Sequence, residues 1–225
     1  DNEKMAAIGG MARGVAHELG APLSVIDGRT HRLQRSSAND SPQQREFAAI
    51  RAQVARLTST VKQLLDYSRP AAATLRKTDP AQLTATAIDA ITPEFEQTAI
   101  ALQSQYETDL PALFGDPARL ELALLNLLRN ALQAASSKVT VGLEYQDQHL
   151  LISVSDDGPG LPETNREKLM EPFYTTKPPG EGTGLGLAIV QTIVEEHGGE
   201  LLLSNHPDGG CRASMRLPIH KEASV

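Results

Sequence analysis

Apolar residues recur at helical spacing along the first part of the chain, with polar residues between them. Residues 3–37 carry one such stripe, which predicts a long helix with one buried face. Pro22 lies within this segment and is expected to bend the helix. Ser41 then offers an N-cap, with Pro42 at the first helical position of a second helix over about residues 43–68. The apolar positions of the two stripes are Met5, Ile8, Met11, Val15, Leu19, Ile26 and Leu33, then Phe47, Ile50, Val54, Leu57, Val61, Leu64 and Leu65.

The connection between these two helices is about four residues long, which requires them to run antiparallel. A hairpin of two helices cannot bury both apolar stripes by itself. A homodimer through residues 1–69 that forms a four-helix bundle would bury them. The alternative is that the hairpin packs on the rest of its own chain.

After an Ala-rich linker at residues 70–73, the pattern changes to mixed strands and helices. Alternating runs bounded by Gly, Pro, Asn and Asp predict strands, and two Asp-Pro pairs mark helix starts. We therefore predict an α+β fold, with the helical hairpin followed by an α/β sandwich over residues 74–220 and a tail at 221–225. The predicted strands are 74–77, 99–106, 138–145, 149–155, 200–204 and 211–218, and the predicted helices run from Asp79 to Gln97, Asp116 to Ser136 and Gly184 to His197.

Composition excludes several classes of protein. The 225-residue chain is 40% hydrophobic and 22% charged, which is typical of globular domains and sufficient for one large or two small ones. A net charge of -7 without a basic stripe argues against nucleic acid as a partner. The single cysteine, Cys211, excludes an intrachain disulfide framework and favours a reducing compartment; we expect it to fill space in a strand.

No apolar run approaches the ~18 residues that a membrane span needs, and no signal peptide is recognisable. The chain begins at Asp1, without an initiator Met. We therefore expect a cytoplasmic region of a longer protein, with any sensor domain or membrane attachment upstream.

Two asparagines interrupt an otherwise apolar part of the helix that begins at Asp116. Asn126 and Asn130 are four residues apart, so both amides should lie on one face of the helix. A buried amide without a partner costs free energy, and phosphate oxygens or Mg²⁺ would supply partners. The alternative is that both amides bond a neighbouring loop.

A carboxylate and several glycines follow the predicted strand 149–155. Asp156 lies at its exit and can accept a hydrogen bond from an exocyclic amine such as that of adenine, while Gly158 and Gly160 let the backbone approach the ring. A second glycine-rich segment, 182–187, opens the last predicted helix, whose N-terminus suits a triphosphate. It lacks the third glycine of a Rossmann fingerprint, and no P-loop occurs. Alone, each segment also fits an ordinary turn. The residues of this second segment expected to line the nucleotide are Thr183, Gly184, Leu185 and Gly186.

Residues 159–181, between these two segments, contain five prolines and no periodic pattern. Long irregular segments in compact domains are usually functional lids or disordered. We expect Phe173 to anchor such a lid on an apolar surface and Lys177 to reach phosphate. A solvated surface charge is the alternative for Lys177.

His17 and Glu18 are neighbours on the first predicted helix, shortly before Pro22. Adjacent helical side chains point about 100° apart, so the two can flank one reacting group without bonding each other. A neutral imidazole attacks with one nitrogen, and a carboxylate near the other takes its proton. A His-Glu pair is common in helices, but Pro22 weakens the hydrogen-bond ladder beside this one. The histidines expected at the surface are His31, His149, His197, His206 and His220.

In this order, five motifs resemble those of the transmitter region of two-component sensor histidine kinases, over nearly the whole chain. The matching segments are 17–23 for the H-box, 126–131 for the N-box, 156–160 for the G1 box, 171–173 for the F-box and 182–187 for the G2 box. The resemblance implies a dimerisation and phosphotransfer hairpin followed by a Bergerat-type ATP-binding sandwich.

The resemblance also implies roles for the site residues. His17 would take the γ-phosphoryl group of ATP as phosphohistidine, with Glu18 as the general base. Asn130, with Asn126, would hold Mg²⁺ and the phosphates, and Asp156 would recognise adenine. The phosphoryl group would then pass to an aspartate of a response-regulator receiver domain. The glycines that would shape the pocket and lid are Gly158, Gly160, Gly184 and Gly186.

One position departs from the family pattern. The family often has Thr or Asn four residues after the histidine, where it helps water attack the regulator's phosphoaspartate, and this chain has Ala21. A methyl group neither donates nor accepts a hydrogen bond. We therefore expect weak or absent phosphatase activity, or a substitute group nearby.

Two other functions stay open. A conformational ATPase of the same superfamily, such as a topoisomerase or mismatch-repair module, would use ATP to gate dimer contacts without modifying a histidine. A degenerate kinase would serve as an ATP-binding dimeric scaffold. The motif at His17 argues against the first, and the intact Asn130, Asp156 and glycines argue against the second.

Overall fold

The computed structural model describes residues 19–20, 22–35, 41–67, 74–162, 166–177, 182–206 and 209–219. The chain divides into two compact units, residues 1–70 and residues 71–225, and each is described by itself. The predicted site positions at His17, Glu18 and Ala21 lie outside the described residues.

The first unit contains two helices. Residues 22–35 form helix α1, and Pro42–Tyr67 forms helix α2. The backbone N–H of Gln44 donates to Ser41 Oγ at 3.2 Å, so Ser41 caps α2 as predicted.

Part of each apolar stripe stays exposed in the single chain, as expected for a hairpin of two helices that cannot bury both stripes by itself. Val54 of the predicted α2 stripe is buried, as are Leu23 and Thr30 outside the predicted stripe, and Arg51 of α2 donates to Asp27 of α1 at 3.0 Å. The predicted stripe residues that remain exposed recur every seven positions along each helix, which is the spacing of a coiled-coil seam. They are Leu19, Ile26 and Leu33 on the first helix, and Ile50 and Leu57 on α2.

The second unit contains seven strands among its described residues: β1 (Arg76–Thr78), β2 (Ala101–Tyr106), β3 (Leu113–Gly115), β4 (Lys138–Gln146), β5 (His149–Asp156), β6 (Glu200–Asn205) and β7 (Cys211–Pro218). Five of them form one sheet in the order β2-β4-β5-β7-β6, with only β2 and β4 parallel. The short strands β1 and β3 pair separately. Together with the helical first unit, this mixed sheet confirms the predicted α+β class.

Three helices accompany the sheet: α3 (Pro80–Glu96), α4 (Pro117–Ala134) and α5 (Gly186–Glu196). The carboxylates of Asp79 and Asp116 accept backbone N–H groups of the first turns of α3 and α4, which confirms both predicted starts. In each helix a proline occupies the first turn, where its missing N–H removes no intrahelical bond.

The core lies between the sheet and these helices. Alternate residues of β4, Val139, Val141 and Leu143, are fully buried, as one covered face of a sheet requires. Helix α4 contributes Leu124 and Leu128 to this core and contacts α3, α5 and β5. Because α4 packs against these elements, the face of α4 that carries Asn126 and Asn130 has a fixed orientation.

Some boundaries differ from the prediction. Strand β3 and a short 3-10 helix at Arg166–Met170 were not predicted. Helix α5 begins at Gly186 rather than Gly184, because Gly184 has φ of +67° and cannot belong to a right-handed helix. The predicted linker at 70–73 lies outside the described residues, so the predicted domain limits stay predictions. Within the described residues, no helix is both long and apolar enough to cross a membrane.

Candidate nucleotide site

The two asparagines of α4 face the beginning of α5. Asn126 is 5% exposed, and its Nδ2 donates to the carbonyl of Leu122 at 2.8 Å. A Cβ added to Gly186 would lie 3.4 Å from Asn126 Oδ1 and 3.4 Å from Asn130 Nδ2. Asn130 is half-buried, and no described residue bonds its amide. A polar ligand between α4 and α5 would satisfy it.

Helix α5 begins without a side-chain cap. Its N-cap residue is Leu185, whose side chain makes no capping bond, and the Leu185 N–H donates to Thr183 Oγ1 at 3.3 Å. The first N–H groups of a helix have no intrahelical acceptor, and the helix dipole adds positive potential at this end. The space beside Gly186 therefore suits an anion such as phosphate.

Asp156 ends β5 with its carboxylate anchored on one side. Its Oδ1 accepts the Gly158 N–H at 2.9 Å and the Cys211 N–H at 3.3 Å. Among the residues that the structure describes, none donates to Oδ2. The orientation of the carboxylate is thus fixed while one oxygen stays available to an amine donor.

Backbone segments approach one another closely around Asp156. A Cβ at Gly158 would collide with the carbonyl group of Ala134, and one at Gly210 would collide with the carbonyl group of Asp156. Gly160 and Gly210 also have φ of +78° and +91°, which glycine adopts readily. The contact between Gly210 and Asp156, which are far apart in sequence, has no local signal.

Asp157 is a site residue that the sequence reasoning missed. Its carboxylate accepts the N–H groups of Ser136, Ser137 and Lys138 at 2.9, 3.0 and 3.1 Å, and the Ser137 hydroxyl as well. The Ser137 hydroxyl bond is the largest cause that lowers the pKa of Asp157, followed by the backbone N–H bonds. This carboxylate ties the end of β5 to the turn after α4, beside Asp156.

The predicted lid has a fixed base. Phe173 has φ of +68°, and its N–H donates to the Gly184 carbonyl at 2.9 Å. A Cβ at Gly184 would lie 2.7 Å from Phe173 Cα, so the two backbones are in direct contact. The Phe173 side chain is 58% exposed, which corrects the expectation that it anchors the lid on apolar surface. In this unit the anchor is the backbone of Phe173 rather than its ring.

Lys177 contacts the end of α4. Its ammonium group donates to Gln133 Oε1, and its backbone N–H donates to Thr175 Oγ1 at 3.2 Å. Lys177 is half-buried, so it differs from a fully solvated surface charge. Its bond to Gln133 places the ammonium group one turn beyond Asn130 on the same helix.

The described histidines match the predicted surface positions only in part. His31 and His206 are exposed as predicted and His149 is half-buried, whereas His197 is 7% exposed, which corrects its assignment to the surface. His220 lies outside the described residues. The signal that misled was its position beside Gly198, where a helix end usually meets solvent.

Two family models match the chain. The model described as the His Kinase A (phospho-acceptor) domain covers residues 7–73. The model described as a histidine kinase-, DNA gyrase B-, and HSP90-like ATPase covers residues 115–221. The first includes the predicted phosphoacceptor at His17, and the second includes Asn126, Asn130 and Asp156.

Curated relatives cover almost all of this chain. The sensor histidine kinase ZraS of Salmonella typhimurium is 33% identical over 224 residues, covering 96% of this chain and 47% of the relative. The sensor histidine kinase CpxA of Escherichia coli is 35% identical over 216 residues, covering 93% of this chain and 46% of the relative. The chain thus spans about half the length of the curated relatives that it matches.

Solved structures have the same fold. Full-length ShkA in complex with AMPPNP matches with a TM-score of 0.78 at 24% identity, over 95% of this chain and 46% of ShkA, which supports the fold alone. Histidine kinase ThkA in complex with the response regulator protein TrrA matches with a TM-score of 0.72 at 25% identity, over 99% of this chain and 65% of that one. By its two family models and these relatives, the chain belongs to the two-component sensor histidine kinases.

Proposed function

We propose that this chain is the kinase core of a sensor protein, which transfers the γ-phosphoryl group of ATP to His17 and then to an aspartate of a response-regulator receiver domain. One observation carries the proposal: the uncapped start of α5 places Gly186 against the amides of Asn126 and Asn130. Free N–H donors, a helix dipole and the Asn130 amide, which has no described partner, meet there, as a triphosphate site requires.

The base of ATP is proposed to bind at Asp156. Gly158 and Cys211 hold Oδ1, so Oδ2 is the oxygen that accepts from the exocyclic amine of adenine. Guanine carries a carbonyl oxygen at the corresponding ring position, which would face this carboxylate unfavourably. The site should therefore prefer adenine nucleotides to guanine nucleotides.

The residues present also fit Mg²⁺. Within the described residues, no three His, Cys, Asp or Glu side chains converge, but Mg²⁺ needs few protein ligands and takes oxygens from phosphates and water. Asn130 and Asn126 would hold it through their amide oxygens, and Asn130 has no described partner that would compete. Bound there, Mg²⁺ would neutralise phosphate charge and help to orient the γ-phosphoryl group.

The phosphoacceptor chemistry is assigned to His17 and Glu18. One imidazole nitrogen of His17 attacks the γ-phosphorus atom, and the bond between this atom and the bridging oxygen breaks, so that ADP leaves. As the nitrogen–phosphorus bond forms, Glu18 accepts the proton from the other imidazole nitrogen, so that the phosphorylated ring is neutral. The match of the phosphoacceptor family over residues 7–73 supports this assignment.

A receiver domain is the proposed acceptor of the phosphoryl group from His17. ThkA, to which this chain is similar, has been crystallised with the response regulator protein TrrA. The carboxylate of a receiver aspartate would attack the phosphorus of phosphohistidine, and the imidazole would leave as its other nitrogen takes back a proton from Glu18. We place this reaction in the cytoplasm, the reducing compartment that Cys211 favours.

Homodimerisation through residues 1–69 is part of the same proposal. The heptad-spaced side chains of the hairpin, represented by Ile26, Leu33 and Leu57, are 43%, 51% and 52% exposed in the single chain. A second copy would cover both seams in a four-helix bundle, and its seven-residue period favours a left-handed supercoil.

The test is autophosphorylation with Mg²⁺ and γ-labelled ATP. We expect a label that is acid-labile and base-stable, that is lost in His17→Gln and that is kept in the matched control His31→Gln. Nucleotide binding with no label on His17 would contradict the kinase proposal and leave a conformational ATPase or a scaffold.

Phosphatase activity is proposed to be weak because Ala21 offers no hydrogen bond to water. The assay is release of phosphate from a phosphorylated response regulator in the presence of ADP. Rapid release by the wild-type chain would contradict this proposal, and faster release by Ala21→Thr would support it.

A further inference from the structure

We propose that His197 is a positioning residue of the nucleotide site, which fixes the C-terminal end of α5 on the N-cap of α4 and so holds Gly186 against Asn126 and Asn130. The inference rests on the proposed function of that site. It adds a residue at the opposite end of α5 from the nucleotide.

Both nitrogens of the buried His197 ring are bonded. The backbone N–H of Asp116, the N-cap residue of α4, donates to Nε2 at 2.9 Å. Nδ1 lies 2.6 Å from the carbonyl oxygen of Ile193, which can only accept. The ring must therefore be neutral with its proton on Nδ1, since Nε2 has to accept.

Neighbouring contacts tie the same two helix ends together. The guanidinium of Arg119 in α4 pairs with the carboxylate of Glu196 at the end of α5. The His197 ring is closely packed as well, because a Cβ at Gly115 would lie 3.0 Å from its Cδ2. The ring thus has little freedom to turn away from Asp116.

Asp116 joins this contact to the beginning of the second unit. Its Oδ1 accepts the Ala118 N–H at 3.1 Å, and its Oδ2 accepts the Thr74 N–H at 3.0 Å. Burial acts to raise the pKa of Asp116, but these N–H bonds together with that of Arg119 lower it overall, so the carboxylate stays ionised as an acceptor. Asp116, which donates to His197, is therefore itself fixed by bonds from the N–H groups of Thr74, Ala118 and Arg119.

The effect of His197 reaches the nucleotide through α5. Helices α4 and α5 run antiparallel, because the start of α4 meets the end of α5 while Gly186 meets Asn126. Eleven residues make α5 about 16 Å long, and a single straight helix transmits displacement of one end to the other. Without an acceptor for the Asp116 N–H, the C-terminal end of α5 is no longer fixed on the N-cap of α4.

The experiment measures the affinity of the 225-residue chain for AMPPNP with Mg²⁺ by calorimetry. In His197→Gln, the side-chain oxygen can accept from Asp116 at the place of Nε2, and we expect affinity close to wild type. In His197→Leu, the buried N–H of Asp116 loses its acceptor, and we expect the dissociation constant for AMPPNP to rise about tenfold. Leu83→Ala on α3 is the control, because it removes a buried side chain from a helix other than α4 and α5 and should lower the melting temperature without weakening binding.

A second measurement reports on the ring itself. Long-range nitrogen–proton spectra of the wild-type imidazoles should include a ring protonated on Nδ1 whose signal vanishes in His197→Gln. Equal affinities of wild type, Leu and Gln variants, or a His197 ring protonated on Nε2, would overturn the inference. Failure of the wild-type chain to bind AMPPNP would instead refute the proposed nucleotide site on which the inference rests.

Discussion

Gly186→Ala should make the protein more stable and less able to bind nucleotide. The added Cβ lies 3.4 Å from Asn126 Oδ1 and from Asn130 Nδ2, which is ordinary van der Waals contact, so the protein itself can accommodate the methyl group. Replacing glycine by alanine in a helix gains about 0.4–1 kcal/mol. That gain corresponds to a melting temperature raised by about 1–4 °C for a chain of this size.

Binding should change in the opposite direction, because the methyl group occupies the space between the start of α5 and the two amides. A phosphate in that space would lose at least one charge-assisted hydrogen bond to Gly186 N–H or to an asparagine amide. Such a bond contributes about 1.5–3 kcal/mol, which corresponds to roughly a tenfold to hundredfold increase in the dissociation constant.

The two effects are measured on the same samples, by calorimetric titration with AMPPNP and Mg²⁺ and by thermal unfolding without nucleotide. Gly28→Ala on α1 is the matched control, because it makes the same exchange in a helix with no heavy atom within 4 Å of the new methyl group. It should raise stability and leave affinity unchanged. Wild-type affinity in Gly186→Ala would refute the placement of the phosphates between α4 and α5.

Three further predictions concern the lid, the adenine end and β7. Gly184→Ala should abolish nucleotide binding because its Cβ would lie 2.7 Å from Phe173 Cα, whereas Gly198→Ala, at a nearly equal φ of +69° but with only an ordinary contact to Pro218 Cγ at 3.7 Å, should only lower the melting temperature. Because the folded-state pKa of Asp157 is below its ordinary 3.8, the stability it contributes is complete above that pH and is lost as pH falls further. The unfolding free energies of wild type and Asp157→Asn, compared in urea, should therefore converge from about pH 5 to pH 2, and a constant difference would contradict the assignment. Cys211, the single cysteine, donates its N–H to Asp156 Oδ1, so AMPPNP should slow its alkylation by N-ethylmaleimide; an unchanged rate would argue against adenine at Asp156.

Local patterns predicted most of the elements of the second unit. The Asp-Pro pairs at Asp79 and Asp116 identified two helix starts, because capping depends on residues adjacent in sequence. Strand β3 escaped prediction because its three residues form a strand only by pairing with β1, and no local periodicity marks so short a run. The start of α5 was placed two residues early, since the positive φ of Gly184 depends on its contact with Phe173.

Burial was harder to predict than secondary structure. The periodicity of the first predicted helix, residues 3–37, identified Leu19, Ile26 and Leu33 as one face. It could not identify the surface that covers this face, because a period carries no information about the neighbour. His197 followed the same rule: its acceptor role depends on Asp116, which is 81 residues away in sequence. The candidate site shows the same limit of prediction. Asp156 could be predicted from its position at the end of a strand, whereas Asp157 acquires its partners only in the folded chain.

The two ends of α5 have different roles: contacts within the protein fix one end, and the other end is available to a ligand. At the His197 end, the helix is held by a neutral imidazole and by the Arg119–Glu196 pair, neither of which any ligand needs to disturb. At the Gly186 end, N–H groups and the Asn130 amide have no described partner and are available to an anionic ligand. A site that binds and releases nucleotide repeatedly needs its donors held in place while they are unsatisfied. The tie at the far end of α5 supplies that rigidity without occupying the site.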